Sequence, residues 1–459
     1  MTVARYLCLA APLALTLVAA KVERERAARA AALLAFIAAA VGLAALHELA
    51  RPAKWWTFTS VEGTFREMPV DLWIGWSALW GPVPVLLRRV LPLPMALGLL
   101  LWLDVVAMPS LHPLVHLGPN WLLGEAVGLL TVALPAQLLG RWSADRRHLG
   151  ARVLLQITVF AVMTLWLVPT AAFEFGDGSW TPLTNLPAPW LFAIAQLALL
   201  LAIPALTAVR EFAVRGGGTP YPWDPPQRLV ATGPYAYVAN PMQISAVTLV
   251  LLIAAVTRST SLAAAAMIVA AFAAGIAGQH EHEDLSSRFG WNWHEYRHNV
   301  HAWWPRWKPY LPGAPATLWL DDDCGPCAAA TGFLQRRRPA ELTLASAREF
   351  EQPLWRAQYA GGDGHSERGV AAVARGLEHV NLAWANLGWL LRLPGIGWLA
   401  QLVTDAMIAP PHLAGSAATR TRGEGCRTRS NDCSTARLPP SGSTASPASP
   451  PVRSPPPLA

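Results

Sequence analysis

The chain of 459 residues is strongly apolar, with 53% hydrophobic residues and only 14% charged residues. A soluble globular protein usually carries about 25% charged residues, so the composition excludes an ordinary soluble enzyme. The formal net charge of +7 does not predict nucleic-acid binding. The basic residues gather in short loops beside apolar segments, where the positive-inside rule accounts for them.

Nine apolar segments follow one another along the chain, each close to the length of about 17–20 residues that a membrane span needs. They lie near residues 2–20, 30–49, 70–87, 92–108, 121–140, 153–171, 188–208, 242–257 and 261–279. The first is predicted to be a retained anchor, because the charged run after it is unlike a cleavage site. The segment 70–87 is the weakest, since Asp71 and two prolines interrupt it.

Lysine and arginine are concentrated in the loops that follow the first, third, fifth and seventh apolar segments. Cytoplasmic loops carry such an excess. Nine spans then place the N-terminus outside and everything after residue 280 in the cytoplasm. We expect a protein of the bacterial inner membrane, with the lipid bilayer as its first partner.

Two polar segments carry the first group of candidate functional residues: the loop 209–241 and the stretch after residue 280. The connection at 258–261 makes a helical hairpin of the two apolar runs between them, so both segments return to one membrane face. Carboxylates such as Glu281 and Glu283 would hold an ammonium group there. Aromatic rings would face a sulfonium through cation–π attraction.

The stretch 188–308 resembles the isoprenylcysteine carboxyl methyltransferase and phospholipid methyltransferase families. The residues that match their signature, in order, are Gly233, Pro234, Tyr235, Pro241, Glu281, Leu285, Phe289, Gly290, Tyr296 and Pro305. The resemblance implies a membrane enzyme that binds S-adenosylmethionine and methylates a hydrophobic or lipid-like acceptor. It implies cofactor binding by Gly233, Pro234, Tyr235, Asn240, Pro241, Met242, Glu281 and Tyr296.

Four positions depart from the signature of these families. They are Ala239, Asn240, Gln243 and His282, where the families have Arg, His, Tyr and Glu. Asn and Gln still form hydrogen bonds but carry no charge, so the cofactor pocket and the acceptor pocket need not be altered equally. Glu283 is predicted to be the base if the acceptor must lose a proton. We predict no metal site, because no second pair of ligands reinforces His280 and Asp284.

The second group of candidate functional residues is the pair Cys324 and Cys327, which follows an apolar strand and begins a helix with a basic end. A Cys at a helix N-terminus is favoured as the thiolate, and the second Cys can resolve a mixed disulfide. The acidic run 321–323 disfavours a thiolate, and the sequence leaves this balance open.

Residues 316–409 resemble the DCC thiol-disulfide oxidoreductase family, which is thioredoxin-like. Residues 321–327 match its Asp-x-x-Cys-x-x-Cys element, and 369–394 resemble its helical half. The resemblance implies Cys324 and Cys327 as catalytic residues and a thiol or disulfide partner. A zinc half-site and an inert buried pair are the alternatives.

The sequence therefore predicts a multi-pass α-helical membrane protein of about nine spans, with a C-terminal α/β thioredoxin-like domain and a disordered tail. The predicted parts are an N-terminal membrane region (1–187), a methyltransferase-like membrane domain (188–308), a linker (309–315), the redox domain (316–410) and the tail (411–459). Two other functions stay open: a membrane-anchored oxidoreductase without methyltransferase activity, and a transporter. Asp104, with Glu125, is the one acidic feature inside the spans that would mark a transport path.

Overall fold

A computed structural model describes residues 2–221, 224–352 and 354–407, which all belong to one compact unit. The predicted tail lies outside these residues. Within the described residues, seven helices are long and apolar enough to cross a membrane. The protein is therefore a multi-pass helical membrane protein. The helices of its first part are α1 (Thr2–Val22), α2 (Arg26–Ala53), α3 (Val70–Trp80), α4 (Pro82–Leu86), α5 (Leu93–Ser110), α6 (Trp121–Ala144) and α7 (Leu149–Phe175).

The second part of the chain contains the helical hairpin and the shorter helices around it. These are α8 (Thr181–Thr184), α9 (Ala188–Gly216), α10 (Pro241–Thr257), α11 (Thr260–Phe289) and α12 (Trp291–Asn299). The seven candidate spans are α1, α2, α5, α6, α7, α9 and α11. Helix α10 is apolar but has 17 residues, which is the lower limit for a span.

The count of seven differs from the nine predicted spans, and the main difference lies at 70–87. That segment does not form one helix, because it divides at Gly81 into α3 and α4. A Cβ atom at Gly81 would lie 2.5 Å from the Ala35 carbonyl oxygen, so glycine allows the break to pass close to α2. Pro82 and Pro84 follow at once. Pro82 at the first position of α4 is well suited to begin a new helix, because its missing N–H is not needed there.

Four of the candidate spans contain a widened π-helical turn. The turns are Leu129–Ala133 in α6, Met163–Leu167 in α7, Phe212–Gly216 in α9 and Ala273–Ala277 in α11. In α6 and α7 a proline follows directly, Pro135 or Pro169. Because proline lacks an N–H and its ring clashes with the carbonyl four residues before it, the wider turn lets the helix continue through it.

Short strands cover one end of the first helices. They are β1 (Trp56–Phe58), β2 (Thr64–Phe65), β3 (Met68–Pro69) and β4 (Val115–Leu117). Strand β1 pairs with β4 in antiparallel register, with Trp56 opposite Leu117, and β2 pairs with β3.

The C-terminal part is a four-stranded mixed sheet with helices. Its elements are β5 (Ala316–Leu320), α13 (Gly325–Arg337), β6 (Leu342–Ser346), β7 (Gln358–Ala360), β8 (Ser366–Arg368), α14 (Val370–Glu378), α15 (Leu382–Arg392) and α16 (Ile396–Met407). The strand order is β6-β5-β7-β8. Strands β5 and β6 are parallel and joined by α13, whereas β7 is antiparallel to both β5 and β8. The core between this sheet and its helices includes Leu318, Leu334 and Leu377.

Candidate functional sites

The predicted Gly-Pro-Tyr element forms a tight 3-10 turn, Gly233–Ala236, after the loop that follows α9. Gly233 has a positive φ of 62°, which favours glycine. A Cβ atom there would also lie 2.7 Å from Cγ of Glu211. The turn therefore needs glycine for its backbone conformation and for its close approach to the end of α9.

Tyr235 is the most informative residue of this turn. Its side chain is only 6% exposed and packs against Ala208, Val230 and partly buried Met242. Among the described residues, no partner donates to or accepts from its hydroxyl. Burial, with the nearby Tyr296 and Glu281, raises the pKa of the Tyr235 phenol well above its usual value. The result is a neutral, unpartnered hydroxyl in a buried apolar setting.

The segment after the hairpin packs directly against this turn. The Tyr296 hydroxyl donates to the Tyr235 carbonyl oxygen at 2.9 Å. The backbone N–H of Ala239 donates to the His301 carbonyl at 2.9 Å, and that of Asn240 donates to Ala302 at 3.2 Å. The structure thus brings the two predicted polar segments together at one end of α10 and α11.

The predicted cofactor-binding residues are not all equally buried. Gly233, Pro234, Pro241 and Tyr296 are buried, whereas Asn240 and Met242 are half-buried and Glu281 is exposed. Glu281 nevertheless acts electrostatically on the phenols of both Tyr235 and Tyr296, so it lies near both rings. Glu283 is exposed on the same helix.

Three of the four substituted signature positions have contacts or surroundings that the structure shows directly. Ala239 packs against the cluster of Trp293, Tyr296 and Val300. Nδ1 of His282 accepts a hydrogen bond from the Trp293 indole at 3.0 Å. The Gln243 side-chain oxygen is buried and has no donor within the described part of the chain. A second unused polar atom therefore lies on the first turn of α10, beside the 233–241 segment.

The predicted redox pair lies at the start of α13. Cys324 is the N-cap residue of that helix, directly after the turn that ends β5, and both cysteines are half-buried. Burial, and then the neighbouring Cys324, raises the pKa of the Cys327 thiol to about 12. The thiol of Cys327 is therefore protonated at neutral pH, and Cys324 is the member of the pair placed at the helix N-terminus.

The acidic run before Cys324 is held by other partners. The Asp322 carboxylate accepts from the Ser346 hydroxyl, and Asp323 pairs with Arg348. Asp321 is 7% exposed and accepts the backbone N–H of Asp323 at 3.0 Å. Two of the three carboxylates thus have partners on the segment 346–348, which offsets part of the repulsion expected from the sequence.

A buried ionic cluster joins the C-terminal part to the end of α9, and the sequence analysis did not find it. Its five members are Glu211, Glu367, Arg375, Glu378 and Arg392. Arg392 donates to Glu211 at 2.5 Å, to Glu378 at 2.5 Å and to Glu367 at 2.8 Å. Arg375 donates to both oxygens of Glu211, at 2.8 and 2.9 Å. Both arginines bind the same glutamate, and these ion pairs are nearly fully buried. Each arginine therefore balances carboxylate charges that would otherwise be very costly to bury.

The ionic cluster also contacts the candidate cofactor turn. Oε2 of Glu211, the oxygen that does not bind Arg392, accepts a hydrogen bond from the Thr232 hydroxyl at 2.9 Å. Thr232 lies one residue before the turn. The Tyr237 hydroxyl, just after the turn, donates to the Glu378 carbonyl oxygen at 2.8 Å. The predicted linker 309–315 also packs here, since the N–H of Tyr310 donates to the Ala236 carbonyl at 2.8 Å. The turn at 233–236 and the C-terminal part are therefore packed against each other.

Comparison with protein-family models, with curated proteins and with solved structures finds no match to this chain.

Proposed function

We propose that the chain is an S-adenosylmethionine-dependent methyltransferase of the membrane that acts on a hydrophobic or lipid-like acceptor. The observation that carries the proposal is the buried Tyr235 hydroxyl, which lacks a partner among the described residues and lies near Glu281 and Tyr296. Since a buried unpaired hydroxyl destabilises a fold by about 1–3 kcal/mol, its retention favours a ligand that uses it.

The residues around this hydroxyl fit the cofactor. The exposed Glu281 carboxylate can hold the ammonium of the amino-acid moiety, and the Tyr235 and Tyr296 rings can face a positive charge. The unused oxygen of Gln243 adds a hydrogen-bond acceptor. When bound, S-adenosylmethionine supplies a methyl group on a positively charged sulfur.

For methyl transfer the protein mainly has to align the methyl donor with the acceptor and to exclude water. The acceptor's lone pair would form the new bond to the methyl carbon, and the electron pair of the broken C–S bond would stay on sulfur. If the acceptor carries a proton, Glu283 takes it as the general base. The apolar helices α9 to α11 supply a route from the bilayer for a hydrophobic acceptor. We propose that both candidate sites face the cytoplasm of a bacterial inner membrane.

The test is the binding of labelled S-adenosylmethionine to the full chain in detergent. Tyr235→Phe should weaken binding by about 3–10-fold, the loss of one hydrogen bond, without lowering thermal stability. Glu281→Gln should weaken binding more, whereas Glu283→Gln should retain binding and lose turnover. Tyr6→Phe, at a tyrosine that is 65% exposed, is the matched control. An absence of binding by the parent protein would reject the methyltransferase proposal.

We propose a second function for the C-terminal part, as a thioredoxin-like thiol-disulfide oxidoreductase. The support is Cys324 at the N-terminus of α13, between the parallel strands β5 and β6, with the β7–β8 hairpin beyond β5. The Cys324 thiolate attacks a partner disulfide and releases one partner thiol. Cys327 loses its proton and attacks the Cys324 sulfur, which releases the second thiol. The pair ends oxidised and is reset by an external thiol.

This second function is tested by the reduction of glutathione disulfide or insulin by the full chain with an external thiol. Cys324→Ser should abolish the reaction, and Cys327→Ser should trap a mixed disulfide at Cys324. Cys8→Ser, in the first membrane helix, is the matched control. Unchanged turnover in Cys324→Ser would reject the redox proposal and leave the methyltransferase proposal unaffected.

A further inference from the structure

A small cavity lies inside the first part of the protein, remote in sequence from both sites described above. It has a volume of about 50 Å³ and lies among α2, α3, α5 and α6, beneath β1 and β3. Aromatic rings dominate its wall, and two of its lining residues are ionisable. The lining residues that matter here are His47, Trp56, Trp73, Trp76, Trp80 and Glu125.

A pair of buried acidic residues lies at the cavity, Glu125 in its wall and Asp104 behind it. Glu125 and Asp104 are 2% and 1% exposed, and their carboxyl groups interact with each other. The indole of Trp76 donates to one oxygen of Asp104 at 3.2 Å, and that of Trp80 donates to the other at 3.3 Å. Two touching carboxyl groups cannot both be ionised. At most one of them is therefore ionised, and a cation bound beside them would favour the ionised form.

Two hydrogen-bond acceptors in the wall are unused. Oε1 of Glu125 and Nδ1 of His47 have no partner among the residues that the structure describes. Nε2 of His47 lies 2.7 Å from the Arg66 carbonyl oxygen, so this nitrogen carries the proton and Nδ1 is left as an acceptor. Among the described lining residues there is no lysine or arginine. The cavity thus presents two unpartnered acceptors and an acidic side chain, with no basic side chain among the described lining residues to pair with them.

We propose that this cavity binds the primary ammonium group of a small amine. Its N–H groups would donate to Glu125 Oε1 and His47 Nδ1, and its charge would balance the carboxyl pair. The surrounding indole rings would attract the cation and cover its alkyl carbons. The volume admits a group of a few heavy atoms and excludes a nucleotide. The ammonium could belong to a free amine or to the headgroup of an aminophospholipid, because the recognised chemistry is the same.

The experiment titrates the full chain in amine-free detergent with butylammonium chloride, followed by calorimetry and by the shift in thermal midpoint. 1-Butanol tests the need for charge, and sodium chloride at equal ionic strength controls for screening. Glu125→Gln should weaken butylammonium binding by about 10–100-fold, the effect of losing a charge-assisted hydrogen bond. Glu62→Gln, at an exposed carboxylate beside the same strands, should leave binding unchanged.

A second variant tests the other acceptor. His47→Phe preserves a planar ring and removes the Nδ1 acceptor, and it should weaken binding by about 3–10-fold. Because it also removes the bond from Nε2 to the Arg66 carbonyl, its thermal midpoint without ligand is measured to confirm that it folds. Nanodiscs with and without phosphatidylethanolamine distinguish the sources. Stabilisation by the lipid alone identifies a headgroup site, and stabilisation by butylammonium alone identifies a free-amine site. Equal binding of 1-butanol, unchanged binding in Glu125→Gln, or no effect of either amine source would overturn the proposal.

Discussion

Arg392 of α15 donates to Glu211 at the end of α9 across 2.5 Å, although 181 residues separate them in sequence. Both side chains are almost fully buried, with 0% and 1% of their side-chain surface exposed. The same carboxylate lies beside Thr232 and Gly233. A single glutamate thus connects the candidate methyltransferase turn with the candidate redox domain.

Removal of one partner from this cluster should be strongly destabilising. Arg392→Met leaves Glu211 and Glu378 short of a counter-charge, which costs about 3–5 kcal/mol for a buried pair. The thermal midpoint in detergent should fall markedly, and limited proteolysis should release the C-terminal part. Arg356→Met is the matched control, because the Arg356–Asp405 pair is exposed and worth about 0–1 kcal/mol. Similar losses in the two variants would contradict the role of the cluster.

The same cluster predicts a dependence of stability on pH. Burial alone would raise the pKa of Glu367, but the bond from His365 and the charges of Arg392 and Arg375 hold it below its usual value. A carboxyl group whose pKa is lower in the folded protein than in the unfolded chain stabilises the folded state. This stabilisation is complete at pH values above the pKa in the unfolded chain, about 4.3 for Glu. It is lost as the pH falls towards the pKa in the folded protein. Thermal midpoints should therefore be level between pH 6 and 7 and fall below about pH 4.

Glu367→Gln should reduce the slope of that acid loss. Asp405→Asn, at an exposed carboxylate, is the control for general acid effects. A parent protein whose midpoint stays constant down to pH 3, or a Glu367→Gln variant with the parent's slope, would count against this explanation.

Cys324 and Cys327, the candidate redox pair, should differ in their reaction with iodoacetamide. Because the pKa of Cys327 is raised to about 12, almost none of it is thiolate at pH 8, and the thiolate is the reactive form. Alkylation at pH 8 should therefore reach Cys324 first, as mass spectrometry of tryptic peptides would show. The measurement uses a background with Cys8, Cys426 and Cys433 changed to Ser. Equal labelling of Cys324 and Cys327 at pH 8 would contradict the prediction.

The sequence was sufficient for most of the membrane helices because bilayer spans need long apolar runs with internally satisfied backbone groups. It was insufficient at 70–87, where the composition is apolar but Gly81 breaks the helix. The reason for the break is the close approach of Gly81 to the Ala35 carbonyl, a contact between distant segments. Apolar length alone cannot show such a contact.

The candidate sites were predictable to different degrees. The turn at 233–236 and its packing against Tyr296 followed from motif order, because both segments flank one helical hairpin. The role of Glu211 in the cluster was missed because Arg375 and Arg392 lie more than 150 residues further along the chain. The only local signal was an acidic residue near the end of an apolar helix, which is unusual enough to suggest a specific partner. Asp177 also has partners far along the chain, because its carboxylate accepts the backbone N–H groups of Thr260 and Ser261 at the start of α11.

The last described helix, α16, exposes a row of apolar side chains, which a helix of a soluble domain would normally bury. Gln401 accepts the backbone N–H of Val370 at 2.8 Å, and Asp405 pairs with Arg356 at the surface, so both polar side chains bond to the rest of the C-terminal part. Trp398, Leu399 and Val403 are 67%, 57% and 49% exposed. The preceding helix α15 packs through Trp389 against Ile203 of the candidate span α9. An exposed apolar helix face beside a candidate span is typical of a helix that lies in the membrane interface.

Trp398 should therefore lie in the bilayer, whereas Trp355, 73% exposed on the same domain, should lie in water. The measurement uses 5-fluorotryptophan incorporated into the full chain. The fluorine resonances of Trp398 and Trp355 are assigned by difference, from Trp398→Phe and Trp355→Phe, two exposed positions. Nitroxide-labelled lipid in nanodiscs should broaden the Trp398 resonance, and a water-soluble nitroxide should broaden that of Trp355. Broadening of Trp398 by the soluble nitroxide alone would place α16 in water. Leu402→Lys should then shift Trp398 towards the aqueous pattern, because a charge on the apolar face opposes its burial in lipid.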